Sequence, residues 1–191
     1  LNFCTVDLSA FYFDIRKDIL YCDDVKSKKR QSCTLVLKII LECLIKWFAP
    51  VLSFTTEEIF SLIYKNIEDS IHLKKFVKIP KEWKNQKLND KWSSLKKIRD
   101  CCNISIEEKR AEKIIGSSLE AKIKIKLKNN LFLIAKDTDF EELCITSGSE
   151  LLNDEKINDD IEVETLRAEG TKCSICWKIK NKKCARSNCV I

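Results

Sequence analysis

Residues 35–48 read LVLKIILECLIKWF, eleven apolar residues broken by three charges. The charges, Lys38, Glu42 and Lys46, recur every fourth residue. On a helix that spacing gathers them into one narrow stripe. The remaining circumference is apolar, and such a helix is stable in water only where neighbours cover most of it. A membrane span is excluded, because a span needs about 20 apolar residues with few or no charges. The expectation is a soluble helical bundle with this segment near its centre.

The flanking pattern supplies the rest of a bundle. Residues 3–22 read as a helix, with Leu8, Phe11, Tyr12, Ile15, Ile19 and Cys22 on the 3.6-residue period. Residues 26–30 (KSKKR) form a basic turn. A second helix over 31–48 stops before Pro50. Thr55 to Glu58 has the form of a capping box opening a third helix, whose Ile59, Phe60, Leu62 and Ile63 face inward and which ends near Asn66. Residues 67–84 are an irregular connection pinned by Pro80 and Trp83. A long fourth helix over 90–115 turns Trp92, Leu95, Ile98 or Arg99, Cys102 and Ile106 inward and is capped by Gly116.

After that glycine the period changes. Residues 121–128 (AKIKIKLK) alternate strictly, which predicts a half-buried strand with its lysines outward. Asn129-Asn130 signals a turn, and 131–135 continues as apolar structure. Further strands are expected over 143–146 and around Ile161, Val163 and Thr165, with an acidic loop over 153–160. The fold class is therefore mainly α: a helical bundle over 1–115, a small α+β unit over 116–170, and a cysteine-rich tip over 171–191.

Self-contained catalysis has little to stand on. Three glycines, all isolated, cannot build a phosphate-cradling loop. The sole histidine, His72, has no metal partner at helical spacing and reads as a surface loop residue. Glu57/Glu58 and Glu107/Glu108 are adjacent carboxylates, which diverge on a helix and serve as cap and surface charge. The chain begins at Leu1 and contains no methionine, so a fragment, a processed piece or a truncated reading frame is expected.

The eleven cysteines, an odd number without a signal peptide, point to a reducing compartment rather than a disulfide scaffold. Four of them, Cys173, Cys176, Cys184 and Cys189, crowd into 17 residues. The first pair is a C-x2-C knuckle and the second is spaced C-x4-C. Four thiolates at this density suit a structural Zn2+ site; a redox pair or unpaired thiols are the alternatives. A metal would supply on the order of 10 kcal/mol to a tip too short to fold on apolar burial.

The net charge of +6 is concentrated at the same tip, where Lys172, Lys178, Lys180, Lys182, Lys183 and Arg186 meet no acid. A neutral body with a basic tip suggests a polyanion there, against a merely solvated lysine-rich tail. Trp177 follows the knuckle and can either stack on an unpaired base or pack the tip against its own domain. Arg16, Lys17, Arg99 and Arg110 are further candidate phosphate contacts, though such residues more often serve as surface ion-pair partners.

Five stretches carry a resemblance to the C-terminal region of bacterial-type isoleucyl-tRNA synthetases: LSAFYFDIRKDILY (8–21), FAPVLSFTTEEI (48–59), RAEKIIGSSLEA (110–121), LCITSGS (143–149) and AEGTKCSICW (168–177). The first two are similar to the anticodon-binding bundle of the class I enzymes; the last three resemble the isoleucyl enzyme more specifically. The resemblance implies docking of the anticodon arm of isoleucine tRNA. Trp177, Lys172, Lys178 and Arg186 would face the RNA at the tip, Arg16 and Lys17 on the first helix. It also implies a cytoplasmic monomer whose ATP-dependent aminoacylation belongs to catalytic and editing domains absent from this chain. The family's HIGH and KMSKS signatures have no counterpart here. The tip departs from the family at Ile175, where arginine is usual, and in the x4 spacing before Cys189. A zinc-stabilised module that grips a protein is the alternative.

Overall fold

Ile98 and Cys102 on one helix and Ile123, Ile125 and Leu127 on one strand share a core from which water is wholly excluded. The helix is α4 (Gln86–Ala111) and the strand is β1 (Ala121–Leu127) in the computed structural model, which describes residues 1–64, 69–181, 184 and 186. The alternation in β1 turns Ala121, Ile123, Ile125 and Leu127 inward and leaves Lys122, Lys124 and Lys126 on the outer face.

Strand β1 is the middle of three. It runs parallel to β2 (Gly148–Asn153) and antiparallel to β3 (Ile161–Arg167). A parallel neighbour needs a crossover. The chain makes it through two short helices, α5 (Asn129–Ala135) and α6 (Phe140–Leu143), which add Ala135, Phe140 and Leu143 to the core. The strand expected over 143–146 is not formed. Residue 143 ends α6, whose N-cap Asp139 accepts from the Glu142 N–H at 3.1 Å, and Ile145 sits at φ 56°. The second strand begins only at Gly148.

The N-terminal helix joins this core. A π-helical segment, Phe3–Phe13, continues as α1 (Asp14–Cys22), which buries Ile15 against α4. Phe11 and Trp92 meet edge to face at 6.1 Å between ring centroids. By packing, Leu1–Asp24 and Asn85–Ile191 make one unit and Val25–Lys84 another. The core of the first unit runs straight across residue 115. Helix α4 ends earlier than its pattern suggests, at Ala111. Lys113 takes the left-handed position at φ 60°, and the Ile114 N–H reaches back to the Lys109 carbonyl at 3.1 Å. Gly116 is therefore not the cap. Its N–H is taken by the Glu120 carboxylate at 3.0 Å.

The unit Val25–Lys84 holds α2 (Lys28–Phe48) and α3 (Ser53–Tyr64). The basic run 28–30 is the first turn of α2, with Ser27 as its N-cap, rather than a free turn. The unit's main core is small: Ile45, Ala49, Phe60 and Ile71, with Ile59 against them. Three expectations fail here. Leu35, Val36, Leu41 and Trp47 on α2 are exposed, so the apolar run is not a wrapped central rod. The capping box does not form, because α3 already includes Thr55. The neighbouring Glu57 carboxylate instead accepts from the Ser70 hydroxyl at 2.8 Å and the Ile71 N–H at 3.0 Å. Leu62, Ile63 and Trp83 face solvent, since one narrow seam of contacts is all that so few elements can bury. The expected end of α3 near Asn66 lies outside the described residues. No described helix is long and apolar enough to cross a membrane.

Candidate functional site

The tip is built on a two-stranded hairpin, β4 (Thr171–Lys172) with β5 (Ile179–Lys180), in antiparallel register. Gly170 enters it at φ 124°, where a Cβ would overlap the Lys180 carbonyl, so only glycine fits. Between the strands the chain folds over itself. The Cys173 N–H donates to the Lys178 carbonyl at 2.9 Å and the Trp177 N–H to the Cys173 carbonyl at 3.0 Å. Trp177 closes the turn at φ 61°, a left-handed backbone that a bulky residue adopts only when its surroundings enforce it.

Cys173 and Cys176 are buried at 1% and 6% exposure, and Cys184 packs against them. A fourth thiol completes the cluster, and it is not from the tip. Cys22, the last residue of α1, is buried with them and has its sulfur 3.9 Å from the Ile175 carbonyl. Burial first, and the Asp18 carboxylate second, push the Cys22 thiol up to about 11. Cys22 thus packs α1 against the knuckle. Cys189 lies outside the described residues. Among the described residues no set of three or more donors is arranged to hold a metal ion. The donor chemistry nonetheless suits a soft metal, since Cys173, Cys176 and Cys184 are gathered together.

Among the described residues, Lys178, Lys180 and Arg186 of the tip are already committed to carboxylates within the chain. The Arg186 guanidinium grips the Asp18 carboxylate with two bonds, at 2.8 and 2.5 Å, and reaches Asp23 at 2.8 Å. Burial alone would raise the Asp18 carboxyl, but the bonds and charge of Arg186 hold it below the usual carboxylate range. Lys178 is buried at 6% and pairs with Glu141 at 3.0 Å; Lys180 shares that carboxylate at 2.8 Å. Arg16 is bound to Glu142. Lys17 is exposed beside Asp14 at 3.2 Å. Arg99 donates to the Leu143 carbonyl at 2.9 Å, and Arg110 pairs with Glu107.

Two of the tip candidates face outward. Trp177 is 61% exposed, and the Lys172 ammonium stands 6.0 Å from its ring centroid. The arrangement offers an indole face and a neighbouring cation to solvent on a fixed turn. The residues that sequence reasoning missed are Cys22, Asp18, Asp23 and Glu141, which seat the tip on α1 and α6. No spacing signal could have found them, because their partners lie from 37 to 168 residues away in sequence.

Comparison with known proteins gives a consistent result. Residues 1–125 match the anticodon-binding domain of tRNA ligase. The chain is 59% identical over 186 residues to the isoleucine–tRNA ligase of Pelagibacter ubique, an alignment covering 97% of this chain and 20% of that protein. It is 43% identical to the Agrobacterium fabrum enzyme, covering 94% and 19%, and 40% identical to that of Bartonella henselae, covering 93% and 19%. The chain spans about a fifth of the length of these curated relatives.

Proposed function

The chain belongs to the anticodon-binding domain family of tRNA ligases, and on that premise we propose that it docks the anticodon arm of isoleucine tRNA for an isoleucine–tRNA ligase. The observation that carries the proposal is the family match over residues 1–125, continued by high identity to isoleucine–tRNA ligases through the rest of the chain. The exposed Trp177 beside Lys172 supports it, because stacking on an aromatic face is how proteins hold unpaired bases. Activation of isoleucine and editing would belong to parts of the enzyme outside this chain, working as a cytoplasmic monomer.

In the same reading Cys173, Cys176, Cys184 and Cys189 hold one structural zinc ion. The metal would supply folding free energy to the tip and no step of the chemistry. The burial of the knuckle sulfurs supports it. Elemental analysis of reduced protein would find one zinc per chain, and chelation would erase the near-ultraviolet signal of the tip. Finding no zinc would remove this part of the proposal.

The test of RNA binding is a titration of the chain with labelled isoleucine tRNA and with an unrelated tRNA, at 50 and 200 mM salt. Counterion release makes affinity fall steeply with salt. The Trp177→Ala variant should bind isoleucine tRNA about tenfold more weakly, within the range for one lost base stack. Equal and salt-insensitive binding of both RNAs would overturn the reading. A protein partner lost with Trp177→Ala while RNA binding is kept would favour the interaction-module alternative.

A further inference from the structure

Beside the hairpin lies an open cleft of about 500 Å3 between the outer face of the three-stranded sheet and β5. Lys122, Lys124, Leu166, Arg167, Glu169 and Lys180 are among the residues that line it. We propose that this cleft is a second RNA site, which holds the sugar–phosphate backbone of a strand leaving the tip. The inference rests on the tRNA-docking reading and adds to it a binding surface of named residues.

Charge is the first argument. Four cations line the cleft against one lining carboxylate. Lys180 is committed to Glu141, and Lys122 meets Glu150 only at 3.9 Å, the outer limit of an ion pair. Among the described residues Lys124 and Arg167 make no ion pair, although Lys124 lies level with Glu150 and Glu164 in the ladder. This contrasts with the tip, where Lys178 and Arg186 are neutralised by acids of the same chain.

Spacing is the second argument. Lys122 and Lys124 are alternate residues of one strand and stand on the same face, about 7 Å apart along it. That step suits successive phosphates of an extended nucleic-acid strand. Leu166, opposite Lys122 in the register, is 37% exposed and offers an apolar surface to a ribose or a base edge. Gly148 keeps the cleft open, since a Cβ there would press on the Lys122 side chain at 3.3 Å.

Rigidity is the third. The Ser147 hydroxyl donates to the Leu119 carbonyl and accepts the Ile179 N–H at 2.6 Å, which ties β5 to the sheet. The Ala168 N–H donates to the Glu120 carbonyl at 2.7 Å. The cleft walls are therefore set before a ligand arrives, so little ordering opposes binding.

The test compares the chain with its Lys122→Gln/Lys124→Gln variant, checked for folding by circular dichroism. Among the described residues Lys124 holds no ion pair and Lys122 meets Glu150 only at 3.9 Å on the exposed face, so the fold should survive. Isoleucine tRNA is titrated across a salt series. Two lost phosphate contacts should flatten the slope of log K against log salt by about 1.4 for a single strand. The variant should also bind at least tenfold more weakly at low salt. A second arm competes adenosine monophosphate against the tRNA. Weak competition is expected, because one phosphate meets one cation where a strand meets several. If wild-type affinity and slope are kept in the variant, the cleft proposal fails and the docking proposal stands. If the mononucleotide competes as well as tRNA, the cleft is a nucleotide pocket and not a strand site. If the wild type binds no tRNA, both fail together.

Discussion

The strand β1 and the helix α2 are both rich in isoleucine and leucine, yet β1 buries every one of its apolar residues and α2 leaves several of its own exposed. In β1 every apolar residue alternates with a lysine or an outer neighbour, and Ile123, Ile125 and Leu127 are fully buried. In α2 apolar residues point in nearly all directions; Ile45 is buried at 4% while Leu35 is 59% and Trp47 49% exposed. The difference is one of periodicity. A strict two-residue alternation names both faces of an element, so it dictates where the cover must go. A helix apolar all round demands cover without saying on which side it arrives. The unit around β1 therefore closes on itself, and the unit Val25–Lys84 keeps its main core around Ile45, Ala49, Phe60 and Ile71.

The largest effect is expected where the closure is complete. Ile98→Ala, at a fully buried site in the centre of α4, should cost about 2–5 kcal/mol in urea unfolding. Ile45→Ala in the smaller unit should cost toward the low end of that range, because its surroundings can collapse. Amide hydrogen exchange separates the two. Ile45→Ala should raise exchange in α2 and α3 and leave β1 protected. If β1 loses protection to the same extent, the two regions unfold as one and the contrast between them is broken.

How much could be read in advance follows the same line. The inner face of α4, the outward lysines of β1 and the position of β3 were all legible, because each is a local period backed by several residues. The spacing also foretold that Cys173 and Cys176 lie close together, which their shared burial shows. What was not legible was long-range pairing. The pattern makes Glu58 a cap partner and its neighbour Glu57 a surface charge, whereas Glu57 is the acceptor for Ser70 and Ile71. Arg186 and Lys178 looked like free tip cations, and they are spent on Asp18, Asp23 and Glu141. The strand expected over 143–146 failed because four apolar or β-branched residues fit a strand and a helix end equally well.

A smaller effect tests whether the tip belongs to the closed unit. Asp18→Asn removes the charge that holds Arg186 and should cost about 1.5 kcal/mol, the low end of the range for charged hydrogen bonds, because the amide keeps one acceptor for the guanidinium. The Asp18 carboxyl lies below its ordinary 3.8 in the folded chain. Its pairing therefore adds stability that is full above pH 3.8 and is lost as the pH falls through the lower folded value. The indole N–H resonance of Trp177 should shift on acidification below pH 3.8 in the wild type. The shift should be reduced in Asp18→Asn. An unchanged acid response in the variant would detach the tip from α1 and weaken the claim that the unit closes around it.

The smallest effect bears on the open helix. Leu35→Gln and Leu62→Gln replace side chains that are 59% and 71% exposed, and glutamine matches leucine closely in helix propensity. Each should change stability by no more than about 0.5 kcal/mol, as surface substitutions do. The same change at Ile45 would place an amide in the small core and cost several times more. A loss above about 2 kcal/mol at Leu35 would mean that this face is covered in solution. The isolated chain would then bury α2 as fully as β1, and the difference between the two elements would be one of sequence alone and not of structure.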